Sequence, residues 1–261
     1  MSLRPGTAGA RRLFEKQDPI EYEEMLAEYS SAVQLVAAAA KKDELPALDS
    51  WLHENFAKED EEDKIHLNLK NLQKIVEWKL CRGKDRPMLR GLVKENSDKA
   101  VRDAFAASMN ALDQGDWLSA IKELATLRGV GPATASAVLA PLKKGRELCP
   151  FMADEVLEAV TGKKREYTLK AYESMQSILM AKTRELNGRC ASGRNWSVQE
   201  VATAIWVAGM LSLYKGQASD ETAASTSSIC SKKQRGKKNS APRSTNATAS
   251  TTTTKRKRTK L

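Results

Sequence analysis

The segment Leu127–Ala135 reads LRGVGPATA and joins two stretches of helical periodicity. Gly129 and Gly131 permit positive φ angles, and they lack the Cβ atoms that would hold a ligand away from the backbone. Pro132 has the fixed φ that suits the first residue of a helix. The sequence therefore predicts a helix, a tight turn and a second helix, with the apolar side chain of Val130 pointing back into the helix pair.

The turn between these two helices is a candidate phosphate-binding element. Its backbone N–H groups would lie at a helix N-terminus, where the helix dipole favours an anion. Such contacts to DNA need no basic side chain and read no bases. We predict DNA contacts at Gly129, Val130, Gly131, Ala133 and Thr134. The alternative is an ordinary glycine turn that only ends a helix.

The rest of the chain favours helices as well. It is rich in Ala, Leu, Glu and Lys and has few β-branched runs, which is typical of helical proteins. Candidate helix starts, where an N-cap or a first-turn proline precedes an apolar repeat, occur at Asp18, Leu45, Ser97 and Asp116. We expect an all-α fold with one multi-helix domain over residues 18–216.

Both ends of the chain differ from this central part. Residues 1–17 show no periodicity, and we expect a disordered arm there. Residues 217–261 contain 11 Lys and Arg against 2 acidic residues, so they carry +9 of the net charge of +10. This tail has too few apolar residues to offset its ordering entropy, which predicts a disordered basic tail. The central domain is nearly neutral, so net charge alone does not make it a DNA-binding domain.

The tail contains two basic clusters, Lys232–Lys238 and Lys255–Arg258. Their arrangement is typical of a two-part nuclear localisation signal. We expect a nuclear protein whose tail binds a nuclear import receptor and makes nonspecific contacts to DNA. A plain polycation that touches any nucleic acid is the alternative.

The sequence gives no indication of a cofactor, a metal or a membrane segment. Its four cysteines are widely separated and it has only two histidines, so neither a zinc site nor a disulfide framework is indicated. No apolar run approaches the ~20 residues that span a bilayer.

A second basic region comprises residues 79–94, which contain six Lys and Arg and one acidic residue. Within it we predict that Arg82, Lys84 and Arg86 contact DNA. Trp78, beside them, is predicted to lie in the core, and the alternative is a stacking partner for a base.

Residues Trp117–Val160 resemble the HhH-GPD superfamily of base-excision DNA glycosylases. The hairpin has the family's pattern, and an acidic residue, Asp154, follows Gly131 by 23 residues within Pro150–Asp154. The resemblance implies that DNA is bound by the hairpin and that a flipped nucleotide enters a pocket between helices. It also implies that Asp154 is catalytic and stabilises the oxocarbenium-like sugar.

One position departs from the family's bifunctional members, which carry a nucleophilic Lys two residues after the second hairpin glycine. Ala133 stands at that position here, so the resemblance implies a monofunctional glycosylase without a lyase step at this site. Asp154 has the alternative role of a helix N-cap, and the adjacent Glu155 is predicted to point elsewhere. A noncatalytic DNA- or chromatin-binding module and a helical protein-interaction scaffold remain the alternative functions.

Overall fold

The computed structural model describes residues 4–57, 65–190 and 193–227. Within them the chain forms thirteen α-helices and no strand, which confirms the all-α prediction. None of the described helices has both the length and the apolar character that spanning a bilayer requires. The helices are α1 Pro5–Phe14, α2 Pro19–Ala27, α3 Tyr29–Ala40, α4 Leu45–Phe56, α5 Leu69–Cys81, α6 Pro87–Lys94, α7 Asp98–Asp113, α8 Trp117–Leu124, α9 Pro132–Leu139, α10 Lys143–Leu148, α11 Asp154–Thr161, α12 Leu169–Arg189 and α13 Val198–Ser227.

The chain divides into two compact units, Met1–Glu221 and Thr222–Leu261. The first contains α1 to α12 and most of α13. Because α13 continues to Ser227, the predicted start of a disordered tail at residue 217 is wrong for residues 217–227. Extending an existing helix is much easier than nucleating one, and the Ala and Glu residues there are good helix formers. The remainder of the predicted tail, with both basic clusters, lies outside the described residues.

Local capping signals place many of the helix starts. Four N-cap residues each accept a hydrogen bond from a backbone N–H of the first helical turn, and three of them were predicted above. Each bond satisfies a donor that has no partner within the helix. These bonds join Asp18 to Ile20 at 3.0 Å, Ser97 to Ala100 at 3.1 Å, Asp116 to Ser119 at 3.0 Å and Thr168 to Ala171 at 3.2 Å.

The N-terminal helix α1 corrects the prediction of a disordered arm over residues 1–17. Ala10 is completely buried, and the Oγ1 of Thr7 donates a hydrogen bond of 2.7 Å to Glu158 on α11. Arg11 donates a bond of 2.7 Å to the carbonyl of Ala159 on the same helix. The buried face of α1 consists largely of small residues, so it lacks the stripe of large apolar side chains on which a sequence prediction depends.

The backbones of α1 and α13 approach each other closely where they cross. A Cβ atom placed on Gly9 would lie 2.3 Å from the Cβ of Ser212 and 2.7 Å from the carbonyl oxygen of Ala208. A Cβ on Gly209 would lie 2.8 Å from the carbonyl oxygen of Gly6. Glycine is therefore required at this crossing by the space available.

Helix α5 crosses the core and delivers its last turn to the candidate site. Leu72, Ile75, Val76 and Leu80 are almost completely buried at helical spacing. Trp78 is also buried, which confirms its predicted position in the core. This packing fixes the direction in which the following residues leave the helix.

We expect Gly9→Ala to lower the free energy of unfolding by about 1–3 kcal/mol, because the added methyl group has no room between α1 and α13. The matched control is Gly188→Ala on α12, where an added Cβ meets nothing within 4 Å. That change should raise the stability by about 0.5–1 kcal/mol, because alanine is the better helix former. Urea unfolding of both variants measures the difference. Equal stabilities would contradict the close crossing.

Candidate functional site

The predicted hairpin is present, and its two glycines serve different purposes. Gly129 has a φ of +75°, and a Cβ placed on it would lie 2.9 Å from the Cβ of Leu92. Gly131 is the N-cap of α9 in extended geometry, and a Cβ on it would meet nothing within 4 Å. Gly129 is therefore required by the fold itself, whereas Gly131 leaves the outer side of the turn open.

The backbone donors of the turn are only partly satisfied. Thr134 and Ala135 both donate to the carbonyl oxygen of Gly131, at 2.9 Å each. In the part of the chain that the structure describes, no group accepts a hydrogen bond from the N–H of Gly129, Gly131 or Ala133. Gly131 is exposed, so its N–H can reach an external anion at the N-terminus of α9.

The side chains of the hairpin residues that were predicted to contact DNA are largely buried. Ala133 and Thr134 are 5% and 2% exposed, so any contact that they make to DNA is limited to the backbone. Val130 is also buried, as expected from the predicted direction of its side chain. The open part of the hairpin thus centres on Gly131.

An asparagine holds the hairpin against the end of α6. The side-chain amide of Asn96 accepts a bond of 2.9 Å from the N–H of Arg128 and donates one of 2.9 Å to the carbonyl of the same residue. The guanidinium of Arg128 also pairs with Glu95 at 2.8 Å. Sequence reasoning missed this clamp, because the two partners are 32 residues apart and no motif connects them.

The second helix of the hairpin is joined to the segment that precedes Asp154. The N–H of Met152 donates a bond of 3.1 Å to the Oγ of Ser136 on α9. The neighbouring N–H of Phe151 donates one of 2.8 Å to the side chain of Gln199 on α13. These two bonds fix the chain that leads into α11.

Asp154 is the first residue of α11 and does not cap it. The N-cap residue is Ala153, so the alternative interpretation of Asp154 as an N-cap is wrong. The carboxylate accepts a hydrogen bond of 2.7 Å from the hydroxyl of Tyr167 and one of 2.5 Å from Arg165. The two hydrogen bonds fix the orientation of the carboxylate at the start of α11.

Asp154 lines a cavity of about 50 Å³ together with the basic residues of the second predicted region. The charged or polar residues around this cavity, called the Asp154 cavity below, are Lys79, Arg82, Lys84, Arg86, Asp154, Glu155 and Tyr167. The structure therefore brings the candidate catalytic acid together with all three cations that were predicted to contact DNA. This space holds only a few water molecules, since one water needs about 10–15 Å³ by the same measure.

Glu155 also faces this cavity, which corrects the prediction that it points elsewhere. The cavity wraps around the N-terminus of α11, so the first two residues of the helix both line it. Burial raises the pKa of Glu155 above its ordinary value. The nearest cation is the guanidinium of Arg165, at 3.8 Å. Two carboxyl groups with different environments therefore lie side by side.

Arg82 is half-buried, and its guanidinium lies among aromatic rings. The distances from its Cζ to the ring centroids are 3.8 Å for Trp206, 4.6 Å for Trp78, 5.3 Å for Phe151 and 6.0 Å for Tyr29. We call these four rings the aromatic cage. The Nε of Arg82 is buried and has no acceptor among the described residues. The prediction that Arg82 contacts DNA therefore requires the side chain to leave the cage.

Asp49 lies behind the cage and orders two of its rings. Its carboxylate accepts a bond of 2.6 Å from the hydroxyl of Tyr29 and one of 2.8 Å from the indole N–H of Trp78. Burial is the main reason that the pKa of Tyr29 is raised, so its hydroxyl stays a donor. The polar edges of the rings are thus turned toward Asp49, and their faces are left for the cation.

A larger cavity of about 260 Å³ also borders Arg82. Its walls include Tyr29, Trp78 and Phe151 of the cage, together with His53 and Glu200. Arg82 and Phe151 line both this cavity and the Asp154 cavity. The side chain of Arg82 therefore stands between the two spaces.

Lys84 and Arg86 are exposed and remain available to a ligand at the mouth of the Asp154 cavity. Arg86 lies over the ring of Tyr167, 5.0 Å from its centroid. Arg90, in the same basic region, is instead paired with Glu77 and Asp85. Lys84 and Arg86 are therefore the exposed cations of the Asp154 cavity that a ligand can reach.

One group of three potential metal ligands occurs in the described residues: Glu44, Glu77 and Cys81. Burial raises the pKa of the Cys81 thiol to about 12, and the thiol donates to Glu44 at 3.3 Å. A protonated thiol is a poor metal ligand. The guanidinium of Arg90 moreover donates a hydrogen bond of 2.6 Å to the carboxylate of Glu77. The three potential ligands therefore already have partners within the protein.

Comparison with models of protein families, with curated proteins and with solved structures finds no match to the chain.

We expect the two hairpin glycines to differ in their tolerance of alanine. Gly129→Ala should lower the free energy of unfolding by about 1–3 kcal/mol, because it combines a positive φ with a contact under 3.0 Å. Gly131→Ala should change it by less than about 0.5 kcal/mol, which is usual for an unobstructed surface position. Chemical denaturation tests the pair, and a reversed order would contradict the assigned geometry.

Proposed function

We propose that the chain is a DNA-binding helix–hairpin–helix protein that removes a damaged or mismatched base as a monofunctional DNA glycosylase. Its resemblance to the HhH-GPD superfamily is part of this proposal. The observation that carries it is the position of Asp154, at the N-terminus of α11 in a cavity bordered by Lys84 and Arg86. A carboxylate and exposed cations in one cleft suit a reaction at a sugar that is flanked by phosphates.

The hydrogen bonds of Asp154 support this chemistry. Cleavage of an N-glycosidic bond develops positive charge on the sugar, and a fixed carboxylate stabilises that charge. Arg165 and Tyr167 hold the carboxylate in one orientation. A water molecule beside Asp154 would then attack C1′, and the hydroxyl group formed there completes hydrolysis.

The hairpin supports docking on the DNA backbone. The open turn at Gly131 offers an unpaired N–H at the start of α9, and α9 is linked to the Asp154 segment through Ser136. A phosphate bound at this turn would thereby fix the strand relative to the catalytic acid. Lys84 and Arg86 would bind further phosphates nearer the flipped nucleotide.

A base that enters the aromatic cage needs the space that Arg82 now fills. A cavity of about 50 Å³ does not hold a nucleobase, whereas the cavity behind Arg82 offers about 260 Å³. If Arg82 leaves the cage, the rings of Trp78 and Trp206 become stacking surfaces for a flipped base. The released guanidinium would then be free to pair with a phosphate, as the sequence predicts.

We expect Asp154→Asn to reduce base release at least about hundredfold, because the transition state loses its fixed negative charge. The assay is single-turnover release from a panel of duplexes that carry alkylated, oxidised, deaminated or mismatched bases. DNA affinity should not fall, since Asp154 does not bind phosphate.

The matched control is Glu158→Gln. Glu158 shares Arg165 with Asp154, at 2.8 Å, but it does not line the cavity. This variant should keep most of the activity. Absence of base release from every lesion by the wild-type protein would overturn the catalytic part of the proposal, as would equal losses in both variants.

A second candidate function is a noncatalytic DNA-binding module. Two observations favour it: the Asp154 cavity is small, and Arg82 closes the way to the larger one. In that case the hairpin and the exposed cations would bind DNA, and Asp154 would only anchor Arg165 and Tyr167. The lesion panel separates the two functions.

DNA binding by the hairpin has its own test. We expect Gly131→Asp to weaken the affinity for a short duplex at least about tenfold, which corresponds to ~1.4 kcal/mol. The new carboxylate would meet the phosphate that the turn binds. Gly188→Asp on α12 adds the same charge at another exposed glycine and should have little effect.

The measurement is best made both on the full chain and on a shortened chain that ends at Ser227, because the basic tail can hide the contribution of the hairpin. Fluorescence anisotropy at two salt concentrations suffices. Unchanged affinity of a folded Gly131→Asp protein would remove the hairpin from the binding surface. It would favour the alternative of a protein-interaction scaffold.

We also propose that the protein is nuclear. The support is the pair of basic clusters at Lys232–Lys238 and Lys255–Arg258, which resemble a two-part import signal. An import receptor is the partner that this signal implies. The same lysines and arginines would add nonspecific affinity for DNA, which falls with rising salt.

A further inference from the structure

Helix α1 begins beside a cavity of about 350 Å³ to which the proposed function assigns no role. This space, called the α1 cavity below, lies between the start of α1, the ends of α3 and α5, the start of α11 and the middle of α13. It shares Arg82, Lys84, Asp154 and Glu155 with the Asp154 cavity, so the two spaces adjoin each other.

Cations outnumber acids in the wall of the α1 cavity. The charged residues that line it are four cations and two acids: Arg4, Arg82, Lys84, Arg165, Asp154 and Glu155. Arg165 is paired with Asp154 and with Glu158, so these three charges compensate one another. Burial raises the pKa of Glu155 above its ordinary value, which weakens the remaining negative charge. The wall therefore keeps a positive excess that favours an anion.

The cations that make up this excess have no acidic partner of their own. Among the described residues, Arg4 and Lys84 form neither an ion pair nor a side-chain hydrogen bond, and both are exposed. Arg82 contacts the rings of the aromatic cage, and its buried Nε has no acceptor in the described part of the chain. All three are thus available to an anion that enters the cavity.

The backbone at the start of α1 adds hydrogen-bond donors to the same wall. Gly6 and Thr7 line the cavity and are buried, and no described group accepts a hydrogen bond from their N–H groups. The N-cap Arg4 makes no side-chain capping bond. A buried donor without an acceptor is costly, so an acceptor supplied by a ligand would be stabilising. The helix dipole favours a negative charge at this end of α1.

We propose that the α1 cavity binds a phosphomonoester, the phosphate that ends a nucleotide or a DNA strand. Such a group carries close to two negative charges at neutral pH and three acceptor oxygens. These match a wall that combines unpaired cations with backbone donors. A phosphodiester within a duplex is linked to a sugar on both sides, whereas a terminal phosphate is free on one side and can enter a cavity.

Two sources can supply this group: a free nucleoside monophosphate and the phosphorylated 5′ end of a DNA strand. Binding of a free nucleotide is independent of the proposed function. Binding of a strand end rests on the proposed docking of DNA. Because the two cavities share Arg82 and Lys84, a strand end bound in this way would bring its first nucleotide close to Asp154.

The first test is calorimetric titration of the full chain with thymidine 5′-monophosphate and with thymidine. We expect the monophosphate to bind at least about tenfold more tightly, because thymidine lacks the phosphate. Gly6→Asp should remove this preference, since the new carboxylate would repel the phosphate. A Cβ on Gly6 meets its nearest atoms at 3.5 and 3.6 Å, and an acidic residue in the first helical turn is favourable, so the fold should be retained.

The basic tail also attracts phosphate, so the comparison of variants decides the test. Arg4→Gln removes a cation of the α1 cavity that does not line the Asp154 cavity, and it should weaken binding of the monophosphate at least about threefold. Lys163→Gln removes the same charge at an exposed position outside both cavities, and Gly188→Asp adds a carboxylate on α12. Neither control should change the affinity. Thermal unfolding followed by circular dichroism shows that each variant is folded.

The second test compares two short duplexes that differ only in a phosphate or a hydroxyl group at one 5′ end. Tighter binding of the phosphorylated duplex that is lost in Gly6→Asp supports the proposal with strand ends as the source. Equal binding of the duplexes, together with the expected result for the monophosphate, supports it with free nucleotides as the source.

Absence of all DNA binding would contradict the proposed function only, because the titration with thymidine 5′-monophosphate still decides the site. Equal affinities of wild type, Arg4→Gln and Gly6→Asp for the monophosphate and for the phosphorylated duplex overturn the proposal. Losses of the same size in Lys163→Gln and Gly188→Asp overturn it as well, since they would assign the binding to overall charge.

Discussion

The guanidinium of Arg82 inside its aromatic cage is the interaction on which the candidate site depends. Its rings come from α3, α5, α13 and the segment before α11, in the form of Tyr29, Trp78, Trp206 and Phe151. A desolvated cation–π contact contributes about 2 kcal/mol or more. Removing an ion from water is costly, and the faces of the rings offset part of that cost for the half-buried guanidinium. Removal of one ring would therefore leave the guanidinium of Arg82 with less stabilisation in this position.

This contact also decides which groups face the Asp154 cavity. Because Arg82 is held at the end of α5, the chain after it turns outward and places Lys84 and Arg86 in solvent. Because Phe151 is held by the same cation, the residues after it lead directly to the N-terminus of α11. The cavity thus combines one wall fixed by α5 with another fixed by α11. The packing of Arg82 therefore helps to bring the charged groups of the Asp154 cavity together.

The parts of the fold that could be predicted from the sequence are those fixed by neighbours along the chain. The N-caps at Asp18 and Ser97 and the turn at Gly129 depend on residues within one helical turn. The position of Asp154 at the start of α11 follows from the same kind of local pattern. Helix α1 was missed because small residues at a close crossing leave no apolar stripe.

The contents of the site depend on contacts between distant residues, and these could not be predicted. The charges around Arg82 predict exposed side chains that contact DNA, and only the fold brings four rings together around this arginine. The clamp of Asn96 on Arg128 and the shared cavity of Lys79 and Asp154 are of the same kind. The prediction that Glu155 points away from Asp154 was wrong for the same reason. Helical spacing does not show that a cavity surrounds the end of the helix and is lined by both residues.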